Sequence, residues 1–315
     1  MKKIVTRFIL TFMVGLLAAC RSLEAGSIEN DVTEDQTVTI EDSAGNSVEV
    51  PLNPQKVAVY DNGQLDNLKS LGVGDRVILT ASPNMPAHLS EFEEVDTAGS
   101  FFEIDLEVTN AMEPDLIIVA GRSSSAYEDL AAIAPTIDLS MDSQAYLDSI
   151  KGNLETLGTI FQLETKAEEI VEELESDLNH LVTEAQAPEK EALMLMFNEG
   201  SLSAYGPGSR FGLIYDAFGF TSVDEDIDVS NHGMEVSYEY VLAQNPDVLF
   251  LLDRTAAIGG EVTSKDFEQN AIIQETQSYK DRTIFYLTPS AWYLSEGGAE
   301  AFQIMMNEVN EALKN

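Results

Sequence analysis

Between Thr37 and Val50, apolar and polar residues alternate on both sides of a Gly-Asn pair, TVTIEDSAGNSVEV. Successive strand side chains point to opposite faces, so this pattern predicts a β-hairpin closed by the Gly-Asn turn. Beyond it the pattern changes. VAVY (57–60), VILT (77–80) and DLIIVA (115–120) are short apolar runs without alternation, as expected of strands covered on both faces in a parallel sheet. GQLDNLKSLG, LEVTNAM and YEDLAAI have helical spacing, and the alternation predicts a βαβ lobe over residues 37–160. From Tyr146 to Ala185 the pattern is helical. Its second part lacks Gly and Pro and aligns Ala167, Ile170, Val171, Leu174, Leu178, Leu181 and Val182 on one stripe, with Ala187-Pro188 closing it. Residues 161–187 are therefore expected to form a connecting helix, long for that purpose. The strand pattern then returns in ALMLMF (192–197), DVLFLL (247–252) and TIFYL (283–287). FGLIYDAFG, YEYVLAQN and AEAFQIMMNEVNEALK read as helices. The expected fold class is α/β: two βαβ lobes with parallel sheets, the second over residues 188–315.

The lobes contain a faint internal repeat. LEVTNAMEPDLIIVAGR (106–122) aligns with YEYVLAQNPDVLFLLDR (238–254). Glu107 and Glu239 each stand seven residues before Pro-Asp and 15 before an arginine, Arg122 and Arg254. Common helix–strand grammar accounts for Pro-Asp but not for the matched Glu and Arg. In open parallel sheets, ligands bind beyond the carboxyl ends of strands, and both arginines directly follow a strand pattern. Arg210 lies in the loop SAYGPGSRFG after the 192–197 strand and before a helical segment. The three arginines are expected to converge on a crevice between the lobes, the plainer alternative being separate surface ion pairs. Asn198 ends a strand and can point the same way, and Tyr127 and Tyr205 flank the arginine loops. Glu107 and Glu239 open helices, where an acidic side chain also suits the helix dipole. As one exposed acidic knob per lobe, they also suit docking to a two-fold symmetric partner with basic pockets.

Charge makes the arginines more informative. The chain carries 17 basic and 55 acidic residues, a net charge of −38. Lys2, Lys3 and Arg7 make the start of the chain positive, and Ile4 to Leu17 is an apolar run broken only by Thr6, Arg7, Thr11 and Gly15, followed by Ala18-Ala19-Cys20. This looks like a bacterial lipoprotein leader: residues 1–19 are removed and Cys20, the chain's sole cysteine, is lipidated. The mature chain would keep 14 basic residues, six of them arginines, at a net charge of −41. Residues 20–36 are polar and acidic and read as a flexible tether. Such a charge excludes nucleic acid and anionic membrane surfaces as partners, apart from the lipid anchor. A trianionic ligand would suit three arginines, each contributing about 3 kcal/mol per ligand charge at roughly 5 Å and an effective dielectric near 20, before desolvation.

GPGSRFG, SNHGMEVSYEYV, NPDVLFLLDR and PSAWYLSEGG, in this order and spacing, resemble the class III substrate-binding lipoproteins for ferric siderophores, particularly the catecholate and petrobactin-type branch. The similarity covers about residues 37–313. It implies two lobes joined by one long helix, a shallow cleft and little closure. It further implies a monomer with no intrinsic cofactor, whose ligand brings Fe(III), working with an ABC permease dimer and its ATPase. By the same resemblance Arg122, Arg210 and Arg254 form the ligand triad, and Glu107 and Glu239 dock the permease. His232 and Tyr293 match positions that complete the iron shell in some relatives. Imidazole and phenolate both bind iron, while a loop histidine can also be satisfied by backbone. Trp292 and Tyr293 are expected either to stack on catechol rings or to pack the lobe core.

Other classes find little support. G-x-S-x-G, Walker A and HExxH motifs are absent, and acidic pairs in so acidic a chain do not identify a glycosidase. Direct zinc or manganese capture usually needs several histidines, and only His88, His180 and His232 exist. Haem or cobalamin binding on the same scaffold is the nearer alternative, and a structural adhesin would leave the arginines unexplained.

Overall fold

The computed structural model describes residues 36–81, 85–185 and 190–314. The leader, Cys20 and tether residues up to 35 lie outside the described residues, as does Ala187-Pro188.

The expected hairpin is β1 (Thr37–Glu41) paired antiparallel with β2 (Ser47–Pro51). The first lobe follows as β3 (Val57–Val59), α1 (Asn62–Leu71), β4 (Val77–Thr80), β5 (Asp96–Thr97) and the small antiparallel pair β6 (Gly99–Ser100) and β7 (Glu103–Ile104). It continues with α2 (Leu106–Met112), β8 (Leu116–Val119), α3 (Tyr127–Ala131) and β9 (Thr136–Asp138). Its main sheet has the order β5-β4-β3-β8-β9 and is parallel throughout.

The helical stretch is two helices, α4 (Tyr146–Phe161) and α5 (Glu164–Ala185), where the pattern alone runs on without a break. Gln162 turns into the left-handed region at φ 57° and ends α4, a helix stop that glycine more often supplies. The stripe on α5 behaves as predicted except at Val182, which is exposed.

The second lobe contains β10 (Glu191–Asn198), β11 (Ser201–Tyr205), α6 (Leu213–Asp216), β12 (Thr221–Ser222), β13 (Met234–Val236), α7 (Tyr238–Gln244), β14 (Val248–Asp253), α8 (Arg254–Ala257), α9 (Gln277–Asp281), β15 (Ile284–Leu287) and α10 (Ala299–Lys314). Here the expectation of a parallel sheet needs correction. β10, β14 and β15 are parallel, but β11 folds back antiparallel on β10 and β13 antiparallel on β11. A two-residue Glu199-Gly200 turn, both residues at positive φ, makes this hairpin possible. Part of SAYGPGSRFG is thus strand, and the Arg210 loop follows β11 instead of β10.

Alternate residues of the central strands face two cores. Val57 and Val59 of β3, Met194 and Met196 of β10, and Phe250 and Leu252 of β14 belong to one continuous apolar cluster shared with α1, α4, α5 and α10. Their neighbours Ala58, Leu193, Leu195 and Leu251 face separate outer cores, one per sheet. A core common to both lobes leaves little apolar surface free to part.

Polar contacts reinforce this junction. Asp66 of α1 is fully buried, and its carboxylate accepts the Glu300 and Ala301 backbone N–H groups at 3.1 and 2.8 Å, satisfying the open end of α10 from across the molecule. Asn67 accepts from the Ala299 N–H and donates to the Gly297 carbonyl, both at 3.1 Å. The approach depends on glycine: a Cβ on Gly63 would stand 2.3 Å from the Glu296 carbonyl oxygen, and one on Gly298 would stand 2.2 Å from an Asp66 carboxylate oxygen.

The internal repeat also has a structural basis. Asp115 accepts from the Gln55 and Lys56 N–H groups, and Asp247 accepts from the Glu191 N–H, so each Pro-Asp anchors the entry to the neighbouring strand. The preceding helices end alike, with Glu113 and Asn245 at φ 51° and 48°.

Candidate ligand-binding cleft

The carboxyl ends of β3, β8, β10 and β14 deliver Asp61, Arg122, Asn198 and Arg254 respectively. Between the lobes lies a cleft of about 450 Å³, lined by residues including Asp61, Arg122, Arg210, His232, Leu294 and Glu296.

The three predicted arginines converge on one residue, Tyr293. Their guanidinium carbons lie 4.9 Å (Arg122), 4.7 Å (Arg210) and 5.6 Å (Arg254) from its ring centre. Arg122 donates to the Tyr293 carbonyl at 2.8 Å and Arg254 to the Tyr293 hydroxyl at 2.8 Å. Asn198 accepts from Arg254 at 2.8 Å, so it orients that arginine and does not itself line the cleft. Like charges this close need compensation, and the ring face and carbonyl of Tyr293 provide part of it.

Tyr293 sits on a π-helical turn, Ser290–Leu294, a widened geometry frequent at functional sites. The turn separates its neighbours. Tyr293 is 9% exposed, and Leu294 reaches the cleft. Trp292 must be corrected as a ligand residue: it is 0% exposed, packs edge-on against Phe218 at 6.3 Å, and donates its indole N–H to Glu308 at 2.7 Å. An apolar ring with one satisfied donor is stable in the core. Tyr205 is likewise core, edge-on to Phe211, and Tyr127 packs at the first lobe's outer core.

Burial raises the Tyr293 hydroxyl pKa, but the Arg254 hydrogen bond and the fields of Arg122, Arg254 and Arg210 outweigh it and bring it below 10.0. Burial moves Tyr60, Tyr146, Tyr205 and Tyr215 upward. In an alkaline titration followed by phenolate absorbance, the first of the ten tyrosines to ionise is therefore expected to be Tyr293. Tyr293→Phe should remove that first step, and an unchanged first step would contradict the geometry.

His232 lies in an exposed loop at the cleft, its backbone N–H donating to the Ser230 hydroxyl. Glu107 and Glu239 are both exposed in the first turns of α2 and α7, one in each lobe. Hydrogen bonds from its own backbone N–H and from Ser237 hold the Glu239 carboxyl below 4.5.

Two cleft residues were not anticipated. Glu296 pairs with Arg210, 2.9 Å from Nη2 and 3.0 Å from Nε. Asp61 caps α1, accepting from the Gln64 N–H at 3.1 Å. The rule that located Arg122 could have found Asp61, which directly follows VAVY. Glu296 stands within PSAWYLSEGG but has no counterpart in the repeat. Burial raises Asp61 to about 7, with Glu296 adding to the rise and Arg122 and two backbone N–H groups opposing it. The folded state thus holds this proton more tightly than the unfolded chain. Its contribution favours folding at acid pH and is lost as pH rises through about 7.

A family model described as "Periplasmic binding protein" matches residues 57–291. The chain belongs to the periplasmic binding protein family. It is 36% identical to the petrobactin-binding protein YclQ of Bacillus subtilis, over the full length of both chains. The crystal structure of YclQ superposes with a TM-score of 0.86 at 37% identity, covering 89% of this chain and 99% of that one. The periplasmic catecholate-siderophore binding protein VctP of Vibrio cholerae superposes at 0.81 with 30% identity, covering 88% and 100%. The ferric-anguibactin-binding protein FatB of Vibrio anguillarum is 27% identical over 86% of each chain. These family members are binding proteins, not enzymes.

Proposed function

We propose that this chain is the extracytoplasmic substrate-binding component of an ABC importer for iron. It would capture an anionic ferric siderophore of catecholate or petrobactin-like type between its lobes and deliver it to the permease. The carrying observation is the convergence of Arg122, Arg210 and Arg254 on Tyr293 beside the interlobe cleft. Guanidiniums bind catecholate and carboxylate oxygens through charge-assisted hydrogen bonds. Iron would arrive inside its chelate: among the described residues, no group of three or more His, Cys, Asp or Glu is placed to hold a metal ion. His232 and Tyr293 would complete the shell of a chelate offering too few donors, and the lowered Tyr293 pKa favours the phenolate this requires. Among the described residues no helix is long and apolar enough to cross a membrane, and lipidated Cys20 would hold the protein to an extracytoplasmic membrane face, the outer face in a Gram-positive host or the periplasmic side in a Gram-negative one. The curated relatives include proteins named as siderophore-binding or substrate-binding lipoproteins.

The test is titration of the soluble chain with ferric tris-catecholate, bis-catecholate, citrate-catecholate and hydroxamate complexes. Quenching of Trp292 emission is expected from energy transfer to the iron chromophore, without ring contact. Submicromolar binding of at least one catecholate is expected, and no binding by any member would refute the reading. Glu107→Ala with Glu239→Ala should leave that affinity unchanged while sharply reducing uptake by cells. Normal uptake by the double variant would remove the docking role.

A further inference from the structure

Phe102 is the most exposed large apolar side chain among the described residues, at 73%. It stands at the tip of the β6–β7 hairpin. The apolar residues around it turn the other way: Phe101, Ile104 and Leu106 pack against the first lobe's outer core. A single exposed apolar residue is ordinary on a protein surface. Three features set this one apart.

The first is that its place is held firmly. The hairpin follows β5 and so stands at the carboxyl end of the first sheet, the end that carries Asp61 and Arg122. The Glu103 N–H donates to the Ser100 hydroxyl at 3.2 Å, and the Asp105 N–H to the Ala98 carbonyl at 3.1 Å. Asp105 in turn caps α2, accepting from the Glu107 and Val108 N–H groups at 3.0 Å. Thr109 of α2 is buried and donates its hydroxyl to the Asp105 carbonyl at 2.8 Å, so it accepts from the Tyr60 hydroxyl 2.6 Å away. Phe102 and Glu107 therefore ride on one rigid piece fastened to the residue that follows β3.

The second feature is charge. Glu103, Asp105 and Glu107 are all exposed beside Phe102. On a chain of net charge −38, such neighbours oppose contact with an anionic membrane surface or with a second copy of the chain. They suit a protein surface on which basic groups surround an apolar pocket. Phe102 is not among the residues lining the cleft, so the cleft's ligand is not its occupant. The third feature is the internal repeat. The register that matches Glu107 with Glu239 matches Phe102 with Met234, which lies in β13 and packs against the second lobe's outer core. The acidic knob is duplicated and the apolar one is not.

We infer that Phe102 is the apolar anchor of the docking face, seated in an apolar pocket beside the basic pocket that receives Glu107 on one subunit of the permease dimer. This rests on the proposed docking role of Glu107 and Glu239 and deepens it. A two-fold symmetric partner offers the same pair of pockets twice, and the second lobe fills only the basic one.

The test measures binding of the soluble chain to proteoliposomes carrying the permease and its ATPase, with protein-free liposomes of the same lipid as control. Phe102→Ser should weaken proteoliposome binding by about five- to tenfold, the loss expected of an interface anchor. Its melting midpoint should match wild type, which reports that the variant is folded. Combined with Glu107→Ala, Phe102→Ser should cost less than the product of the two separate effects, because both contacts lie on one patch; combined with Glu239→Ala, it should cost the full product. Equal binding by Phe102→Ser and wild type, with Glu107→Ala impaired, would overturn the anchor and leave the docking reading intact. A full product with Glu107→Ala would overturn the shared patch. Wild-type binding to the protein-free liposomes that Phe102→Ser abolishes would assign the ring to lipid and overturn the inference. No binding of the wild-type chain to proteoliposomes would overturn both readings.

Discussion

Arg210→Ala is expected to weaken binding of a ferric catecholate by about 100-fold or more, equivalent to about 2.7 kcal/mol. Two losses combine. The first is a charge-assisted hydrogen bond from a guanidinium that lines the cleft and lies 4.7 Å from the Tyr293 ring. The second is electrostatic. Glu296, now paired with Arg210 at 2.9 Å, would face the ligand as an uncompensated, mostly buried carboxylate, and breaking one side of such a pair costs more than the pair contributes. Three controls separate these effects. Arg210→Lys keeps the charge but loses the planar fork, so it should recover only part of the affinity. Arg210→Ala combined with Glu296→Ala should bind the same chelate more tightly than Arg210→Ala alone, giving a coupling energy in a double-mutant cycle. An affinity in Arg210→Ala within threefold of wild type would remove Arg210 from the site.

The second large effect concerns stability. Asp66→Ala is expected to lower the unfolding free energy by about 3 kcal/mol, because two backbone N–H groups of α10 lose a charged acceptor in a fully buried place. For a chain of this size, that corresponds to a melting midpoint lower by about 5 °C. His88, whose Nε2 lies 3.6 Å from the carboxylate, loses its neighbour as well. Asp66→Asn keeps one acceptor oxygen and should fall between. Because Asp66 joins α1 to α10, the alanine variant should also bind ligand more weakly, through looser placement of Asp61 and Glu296 and not through any contact of its own. Calorimetry of the three proteins checks the order, and a midpoint unchanged in Asp66→Ala would show that α10 does not depend on this cap.

These predictions rest on residues of different legibility. Arg122 and Arg254 were readable because they recur at the same spacing from Glu and Pro-Asp, and because residues after parallel strands face a crevice. Arg210 was readable as a carboxyl-end arginine, but its true setting was not. The β10–β11 hairpin depends on a Glu-Gly turn without a strong turn signature, and its antiparallel strand changes which loop carries the arginine. Trp292 and Tyr293 are adjacent in sequence and chemically alike. Both are buried, and only the tertiary structure shows that the first packs against Phe218 and Glu308 while the second meets the arginines.

The sequence by itself determined the α/β class, the central strands, the α5 stripe and the matched arginines, because these depend on local periodicity and on recurring spacing. The tertiary structure alone decided that one core is shared by both lobes. It also decided that the arginines surround a single tyrosine, and that two acids join them in the cleft. Each of those facts is a meeting of segments far apart in the chain, such as Asp61 with Glu296, and local patterns of polarity do not encode which distant segments meet.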